Sequence, residues 1–258
     1  MAMAEQHAAS TSGRDHYAAI YERELESEAQ WLAMGAAAKA DSIGLLLRQA
    51  RIKPKSILEL GAGTGEVIKE CQRRGYGEQY VAVDFSDKAI EFLRKNSSGI
   101  DARVGDITSA DFSVGGHFDL VILSHVLEHL ERPADFLNAL RRIDFTHLIA
   151  EVPLEDLLLA RLKSRIRDRT HNPAGHVQFF TRASFTSLLS DCGFKIQATR
   201  LYTPTPSRPD LRFMCKKNGW GRAKYFQVLI TGRYLPLITG PLWRRFYYAN
   251  FAALCRKS

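Results

Sequence analysis

The stretch from Ser56 to Gly65 runs a short apolar segment, Ser56-Ile-Leu-Glu-Leu60, straight into a loop with glycines at 61, 63 and 65. Few folds accept that order. An apolar run without polar alternation reads as a strand buried on both faces. Glycines directly after it let the backbone turn with positive φ and approach a ligand closely. Glu66 to Arg74 has helical composition, so the loop opens onto a helix N-terminus, and Gly75 suits the C-cap. A strand, a glycine turn and a helix form the first unit of a parallel α/β sheet. Its ligand edge lies at the carboxyl ends of the strands.

The following residues repeat the alternation. Tyr80 to Asp84 reads as a second strand, and Ser86 as the N-cap of a helix through Asp87 to Lys95. Ala102 to Val104 reads as a brief third strand and Phe118 to Leu123 as a fourth. Pro133 suits the first turn of a helix reaching Arg142. Thr146 to Val152 reads as a fifth strand. Leu154, Leu158, Leu162 and Ile166 recur every fourth residue, as on one helix face. Gly175 to Phe180 reads as a loop. Thr181 caps a helix to Asp191 that Gly193 ends. Phe194 to Leu201 reads as a sixth strand and Phe246 to Cys255 as the seventh. Ahead of all this, Tyr17 to Gln49 is helical, with a break expected near Asp41 and Ser42. Met1 to Gly13 is small and polar, without periodicity.

The expected architecture is α/β: a seven-stranded, mostly parallel sheet with helices on both faces. Residues 1–50 form an N-terminal helical extension and 51–258 the main domain. A basic aromatic insertion at about 202–245 precedes the last strand. The chain has 258 residues, 45% of them hydrophobic, enough for one well-cored domain. Cys71, Cys192, Cys215 and Cys255 form no CxxC pair, and no basic n-region with an apolar run opens the chain. A reduced, cytoplasmic protein is expected.

Asp84 follows Gly65 by 19 residues and ends the second strand. A carboxylate there can accept hydrogen bonds from both hydroxyls of a ribose. The dinucleotide fingerprint is GxGxxG. Here the loop is GxGxG, Glu66 stands where the last glycine would fall, and the acid Glu59 precedes the first. These residues resemble motif I of class I S-adenosylmethionine-dependent methyltransferases, whose fold is Rossmann-like. The resemblance continues through Asp84, through Gly105-Asp106-Ile107 and through Ser124-His-Val-Leu-Glu-His129, and covers roughly Ser56 to Leu201.

That resemblance implies S-adenosyl-L-methionine as cofactor and assigns residues to it. Glu59, Gly61, Ala62 and Gly63 would hold its methionine portion. Asp84 would take the ribose, Phe85 would cover an adenine face, Asp106 would accept the adenine amino group, and Ile107 would lie beside the ring. Ser124 and His125 sit just beyond the fourth strand at the ligand edge. Tyr21 of the N-terminal helix completes the set. The bare residues leave two alternatives open: Phe85 as core and Asp106 as a turn residue.

Methyl transfer from a sulfonium is a direct displacement, and a hydroxyl nucleophile needs its proton removed. His176, in the loop after the fifth strand, is the first candidate base, and His129 and Glu151 are the others. His176 could equally order its loop by hydrogen bonding. His125-Val-Leu-Glu128-His129 also matches the HxxEH zinc pattern. It follows a strand of a cofactor fold, however, and an acid replaces His125 in the similar stretch of ubiquinone-biosynthesis O-methyltransferases. No metal is expected.

The charge is uneven. Arg208 to Ser258 carries 11 Lys or Arg against one acid, Asp210, so it holds +10 of a chain whose total is +8. Trp220, Tyr225, Phe226, Tyr234, Trp243, Phe246, Tyr247 and Tyr248 are interleaved with these cations. A lid over the substrate, a solvated cap, a peripheral contact with anionic lipid and an RNA surface are the readings open to it. No apolar run is long enough to span a bilayer. The leading expectation is methyl transfer to a small-molecule or lipid-linked hydroxyl compound, such as a sugar, polyketide or quinol. The alternatives are an RNA or protein methyltransferase docking through the basic segment, and a non-catalytic cofactor-binding partner subunit. Nucleic acid is disfavoured: Leu123-Ser-His-Val stands where amino-adenine DNA methyltransferases carry an Asn/Asp-Pro-Pro-Tyr/Phe motif, and no RNA-binding motif is present.

Overall fold

Side chains on successive strand residues point to opposite faces, and here both faces are buried. Leu58, Leu60, Val81, Val83, Val121, Leu123 and Leu148 form one core. Ile57, Tyr80, Ala82, Leu120, Ile122 and Ile149 form the other. The structure is a computed structural model and describes residues 13–109, 111–154, 175–240 and 249–257.

The sheet is built from β1 (Ser56–Leu60), β2 (Gln79–Asp84), β3 (Ile100–Val104), β4 (Phe118–Ser124), β5 (Phe145–Pro153), β6 (Phe194–Tyr202) and β7 (Asn250–Lys257). Their order is β3-β2-β1-β4-β5-β7-β6. β7 pairs antiparallel with both β5 and β6. The chain leaves β1 toward β2 on one side and returns to β4 on the other. This topological switch opens a crevice at the carboxyl ends of β1 and β4.

The helices are α1 (Gly13–Ala50), α2 (Glu66–Arg73), α3 (Asp87–Asn96), α4 (Pro133–Leu140) and α5 (Arg182–Asp191). They are followed by α6 (Arg208–Lys217), α7 (Arg222–Leu229) and α8 (Leu235–Thr239). α4 and α5 cover the first core through Phe136, Leu137, Phe185 and Leu189. α1, α2 and α3 cover the second through Ile43, Leu46, Leu47, Ile68 and Leu93. The second half of α1 is therefore one layer of the sandwich. Ser86 caps α3 by accepting from Ala89 N–H, and Thr181 caps α5 within a reciprocal capping box with Ser184.

Some boundaries differ from the sequence reading. α1 does not break at Asp41 and Ser42. Ser42 is fully buried, and Asp41 pairs with Arg74 at the C-cap of α2, so tertiary contacts hold the helix through them. The irregularity falls instead at Glu24, with φ −139° and ψ 32°. β3 begins earlier, at Ile100, because it pairs with Tyr80 at the start of β2. β7 begins later, at Asn250, where pairing with Pro153 and Tyr202 starts. The helix expected at Leu154 to Ile166 lies mostly outside the described residues, as do Trp243, Phe246, Tyr247 and Tyr248.

Candidate active site

The turn after β1 is shaped by what a side chain would strike. Gly61 and Gly63 have φ of +71° and +54°. A Cβ on Gly61 would meet Val126 Cγ2 at 2.6 Å, and one on Gly63 would meet the Tyr21 hydroxyl at 2.6 Å. Gly61 N–H and Ala62 N–H both donate to the Val83 carbonyl, at 2.8 and 3.0 Å, which ties the loop to β2.

Asp84, buried at the end of β2, accepts from Gly63 N–H at 2.8 Å and from Ser86 N–H at 2.9 Å. Burial pushes its carboxyl above the ordinary range, and these backbone bonds oppose the rise. A carboxylate has about four acceptor sites, so the two bonds leave capacity for a ligand. Glu59 is buried beneath the loop and accepts from Ile68 N–H at 3.0 Å. Burial pushes its carboxyl up to about 8.

The opposite lip is the end of β4. His125 has φ +59°, a left-handed conformation rare outside glycine. Its N–H donates to the Glu151 carbonyl at 3.0 Å, which anchors the turn to β5. Its ring lies between two buried carboxylates. Nδ1 is 3.2 Å from Glu128 Oε1, and Nε2 is 3.4 Å from Glu151 Oε1. The Tyr202 hydroxyl contacts both Glu151 oxygens, at 2.9 and 2.8 Å, and Asn250 Nδ2 donates to Oε1 at 3.3 Å. The ends of β4, β5, β6 and β7 thus share one buried polar network. Burial disfavours the Glu128 charge, but the neighbouring His125, His129 and His176 outweigh it and hold its carboxyl down at about 2. For His125, burial and Lys39 act against the charged form, and Glu128 and Glu151 outweigh them, so its pKa is raised.

α1 supplies the third wall. The Tyr17 hydroxyl is 3.4 Å from His129 Nε2, and His129 Nδ1 is 3.0 Å from the Gly175 carbonyl. A carbonyl only accepts, so Nδ1 carries the proton and Nε2 presents its lone pair. Burial lowers the His129 pKa and favours that neutral form. Arg14 pairs with Asp106, and its guanidinium lies 5.4 Å over the Phe85 ring. Asp106 also accepts from Thr108 N–H at 3.0 Å and from its hydroxyl at 2.6 Å, so it closes a local turn while lining the cavity.

These walls enclose a cavity of about 600 Å³, a size typical of sites for cofactor-sized molecules. The residues assigned to the cofactor from the sequence all line it, from Tyr21 and Glu59 through the glycine loop, Asp84, Phe85, Asp106 and Ile107 to Ser124 and His125. His129 lines it as well. His176 and Glu151 are not among the lining residues. His176 packs edge-on against His129, with ring centroids 5.1 Å apart, and Glu151 stands behind His125. Glu128, His129 and His176 bring one potential ligand atom each within 4.8 Å of one another, and His129 Nδ1 is committed to the Gly175 carbonyl.

Sequence reasoning missed Arg14, Tyr17, Tyr202 and Asn250. Arg14, Tyr17 and Tyr21 share one helical face by their spacing, a signal that was present. Tyr202 and Asn250 carry no local signal, because only strand pairing brings them to Glu151.

A family model described as "Methyltransferase domain" matches residues 33–199. The chain belongs to the methyltransferase domain family. The matched residues form a domain of the class I, Rossmann-like S-adenosylmethionine-dependent methyltransferase type. Over 91 residues this methyltransferase is 38% identical to the mitochondrial ubiquinone biosynthesis O-methyltransferase of Schizosaccharomyces pombe, covering 33% of this chain and 32% of that protein. The chain matches only about a third to two-fifths of the length of its curated relatives. Among solved structures, it resembles the plantazolicin methyltransferase BpumL in complex with a monoazolic desmethylPZN analog and SAH. That match has a TM-score of 0.61 at 14% identity, over 96% of this chain and 95% of the other. It also resembles the magnesium protoporphyrin IX methyltransferase of Synechocystis PCC 6803 with bound SAH. There the TM-score is 0.55 at 18% identity, over 87% of this chain and 84% of the other.

The cavity fits the donor. The Ser124 hydroxyl is buried without a hydrogen-bond partner and lines it. The glycine positions leave backbone N–H groups and space where side chains would intrude. Glu59, Glu66 and Asp84 stand beside the loop with Lys39 as the one lysine among the described lining residues, a mostly acidic surround that suits a positive sulfonium and ammonium.

Proposed function

We propose that the methyltransferase transfers a methyl group to a hydroxyl oxygen of a small-molecule or lipid-linked acceptor, with His129 receiving the hydroxyl proton. The observation that carries this reading is the geometry of His129. It lines the cavity, the Gly175 carbonyl fixes its tautomer, and its Nε2 lone pair faces Tyr17. S-adenosylmethionine supplies an electrophilic methyl group on a positive sulfur. The protein's task is to align the acceptor, exclude water and take one proton.

In this reading Glu59, Gly61, Ala62 and Gly63 hold the methionine portion, and Asp84 holds the ribose. Phe85, Asp106 and Ile107 hold the adenine, with Tyr21, Ser124 and His125 closing the site. Arg14 occupies the Asp106 and Phe85 surfaces and yields them to the adenine. His176 supports His129 through ring contact, and Glu151 positions His125. The match to a ubiquinone-pathway O-methyltransferase favours oxygen as the acceptor atom. A hydroxyl acceptor on a lipid agrees with the basic, apolar C-terminal helices, through which the enzyme would meet a membrane surface. A cytoplasmic location belongs to the same reading and is supported by the free thiols of Cys71, Cys192, Cys215 and Cys255.

The test combines calorimetric titration of the donor with turnover against phenolic, sugar and lipid-linked hydroxyl acceptors. His129→Ala is expected to lower turnover by about 10²–10⁴-fold with donor affinity unchanged. His176→Ala is expected to have a smaller effect. A fully active His129→Ala protein would overturn the proton-acceptor role, and absence of donor binding would overturn the whole reading.

A further inference from the structure

The segment after β6 lies outside the matched family span, which ends at residue 199. Its helices pack on one another through Leu211, Val228 and Leu229, with Trp220 and Tyr225 against them. Lys217 anchors the group to α1, its Nζ 2.8 Å from Glu28 Oε2.

α7, the π-helical residues Ile230–Tyr234 and α8 run on without interruption from Arg222 to Thr239. Val228, Leu229 and Gly232 face inward. Phe226, Ile230, Tyr234, Leu237 and Ile238 are exposed, and the last two are 72% and 80% accessible. Their spacing places them along one side of the helix, opposite the buried face. Isolated exposed apolar residues are ordinary, but a continuous stripe is not. Arg222 precedes Phe226 by four residues on the same side, and Arg208 donates to the Tyr234 hydroxyl at 3.2 Å. Arg212, Lys216 and Lys224 are exposed nearby in sequence. The single acid of these helices, Asp210, is committed to capping Ser207 N–H at 2.7 Å.

We infer that this stripe seats the enzyme on the surface of an anionic bilayer. The helix lies in the headgroup plane with Phe226, Ile230, Leu237 and Ile238 immersed and the cations on lipid phosphates. Charge complementarity selects the partner: exposed Arg222 and Lys224 stand on the helix that carries the apolar row, and Asp210 is the one acid of these helices. The side-chain types argue against a stacking surface for RNA, because the two most exposed members, Leu237 and Ile238, are aliphatic and have no π face for a base. None of the described helices is long and apolar enough to cross a membrane, so the contact is peripheral. The inference rests on the lipid-linked reading above for its purpose. Its evidence, the stripe and its charges, is separate.

Sedimentation of the full chain with phosphatidylcholine vesicles, with and without phosphatidylglycerol, tests it. Binding is expected only with the anionic lipid and is expected to weaken with added salt. The double exchange Leu237→Ser, Ile238→Ser should weaken binding by about tenfold or more, because several methylene equivalents leave the bilayer. Arg222→Glu should weaken it by at least about fivefold. Both variants should keep wild-type donor affinity and their circular dichroism, so a folding defect is recognised. Donor binding and turnover with a soluble acceptor are read separately, so a failed lipid contact is distinguishable from a failed methyltransferase reading. Equal binding to neutral vesicles, or none to anionic ones, overturns the inference. So does a concentration-dependent dimer that the Leu237/Ile238 variant dissociates, or tighter binding to single-stranded RNA than to vesicles.

Discussion

The Asp84 carboxylate accepts the Gly63 N–H at 2.8 Å, so the acid at the end of β2 holds the glycine loop at the end of β1. The residue proposed to meet the ribose is also the brace of the loop that would cradle the methionine portion. Asp84→Ala should therefore weaken the donor and the fold together. Each charge-assisted bond lost is worth about 1.5–3 kcal/mol. Asp84→Asn keeps one oxygen for Gly63 or Ser86 and should recover most of the stability but not the affinity. Calorimetry alongside urea denaturation separates the two losses, and unchanged donor affinity in Asp84→Ala would refute the ribose role.

Gly65 has φ +76°, and a Cβ there would be driven into the Leu93 side chain on α3. Gly65→Ala should destabilise the protein by about 1–3 kcal/mol, as overpacking does. The further exchange Leu93→Ala should relieve the contact but not the backbone strain. A denaturation midpoint equal to wild type in the single variant would contradict this packing account.

Glu59, in its proposed place beside the donor, would link proton binding to donor binding. Its carboxyl is raised by burial to about 8, from an ordinary value of 4.5. The folded protein therefore holds more protons than the unfolded chain between those values, and stability falls as pH rises through that window. The stabilising contribution is complete below 4.5 and gone above about 8. Glu59→Gln should flatten this slope. A positive donor beside the loop should lower the pKa again, so binding at neutral pH should release a proton. Titrations in buffers of different ionisation enthalpy read that proton directly, and identical heats would count against the contact.

His125 sits between Glu128 and Glu151, and both carboxylates are buried. His125→Ala strands Glu128, while Glu151 keeps Tyr202 and Asn250, and breaking a buried pair costs about 3–5 kcal/mol. Glu128→Gln added to His125→Ala should return part of that loss, because it removes one uncompensated charge. A double mutant no more stable than the single one would show that Glu128 draws its stability from elsewhere.

The α/β alternation, the glycine loop and the order Glu59, Asp84, Asp106 were legible because each depends on neighbours in sequence. Apolar runs, caps and glycine turns are local physics, and the loop named the donor. Ser86 and Thr181 cap their helices as read, since capping involves only the next turn. The break expected at Asp41 and Ser42 did not occur. Local propensity argues for it, but Arg74 and burial of Ser42 lie outside that window.

The sequence by itself determined the sheet, the ligand edge and the residues that would line a donor cavity, because these follow from periodicity and turn chemistry. Only the tertiary structure decided that His129, and not His176, lines that cavity. The choice rests on Gly175, Tyr17 and His129 meeting across 46 and 112 residues of chain. Likewise, the sequence showed that the C-terminal segment is basic and aromatic. Which side of its helix remains uncovered depended on how Leu211, Val228 and Leu229 pack, and packing between distant residues leaves no mark on a local pattern.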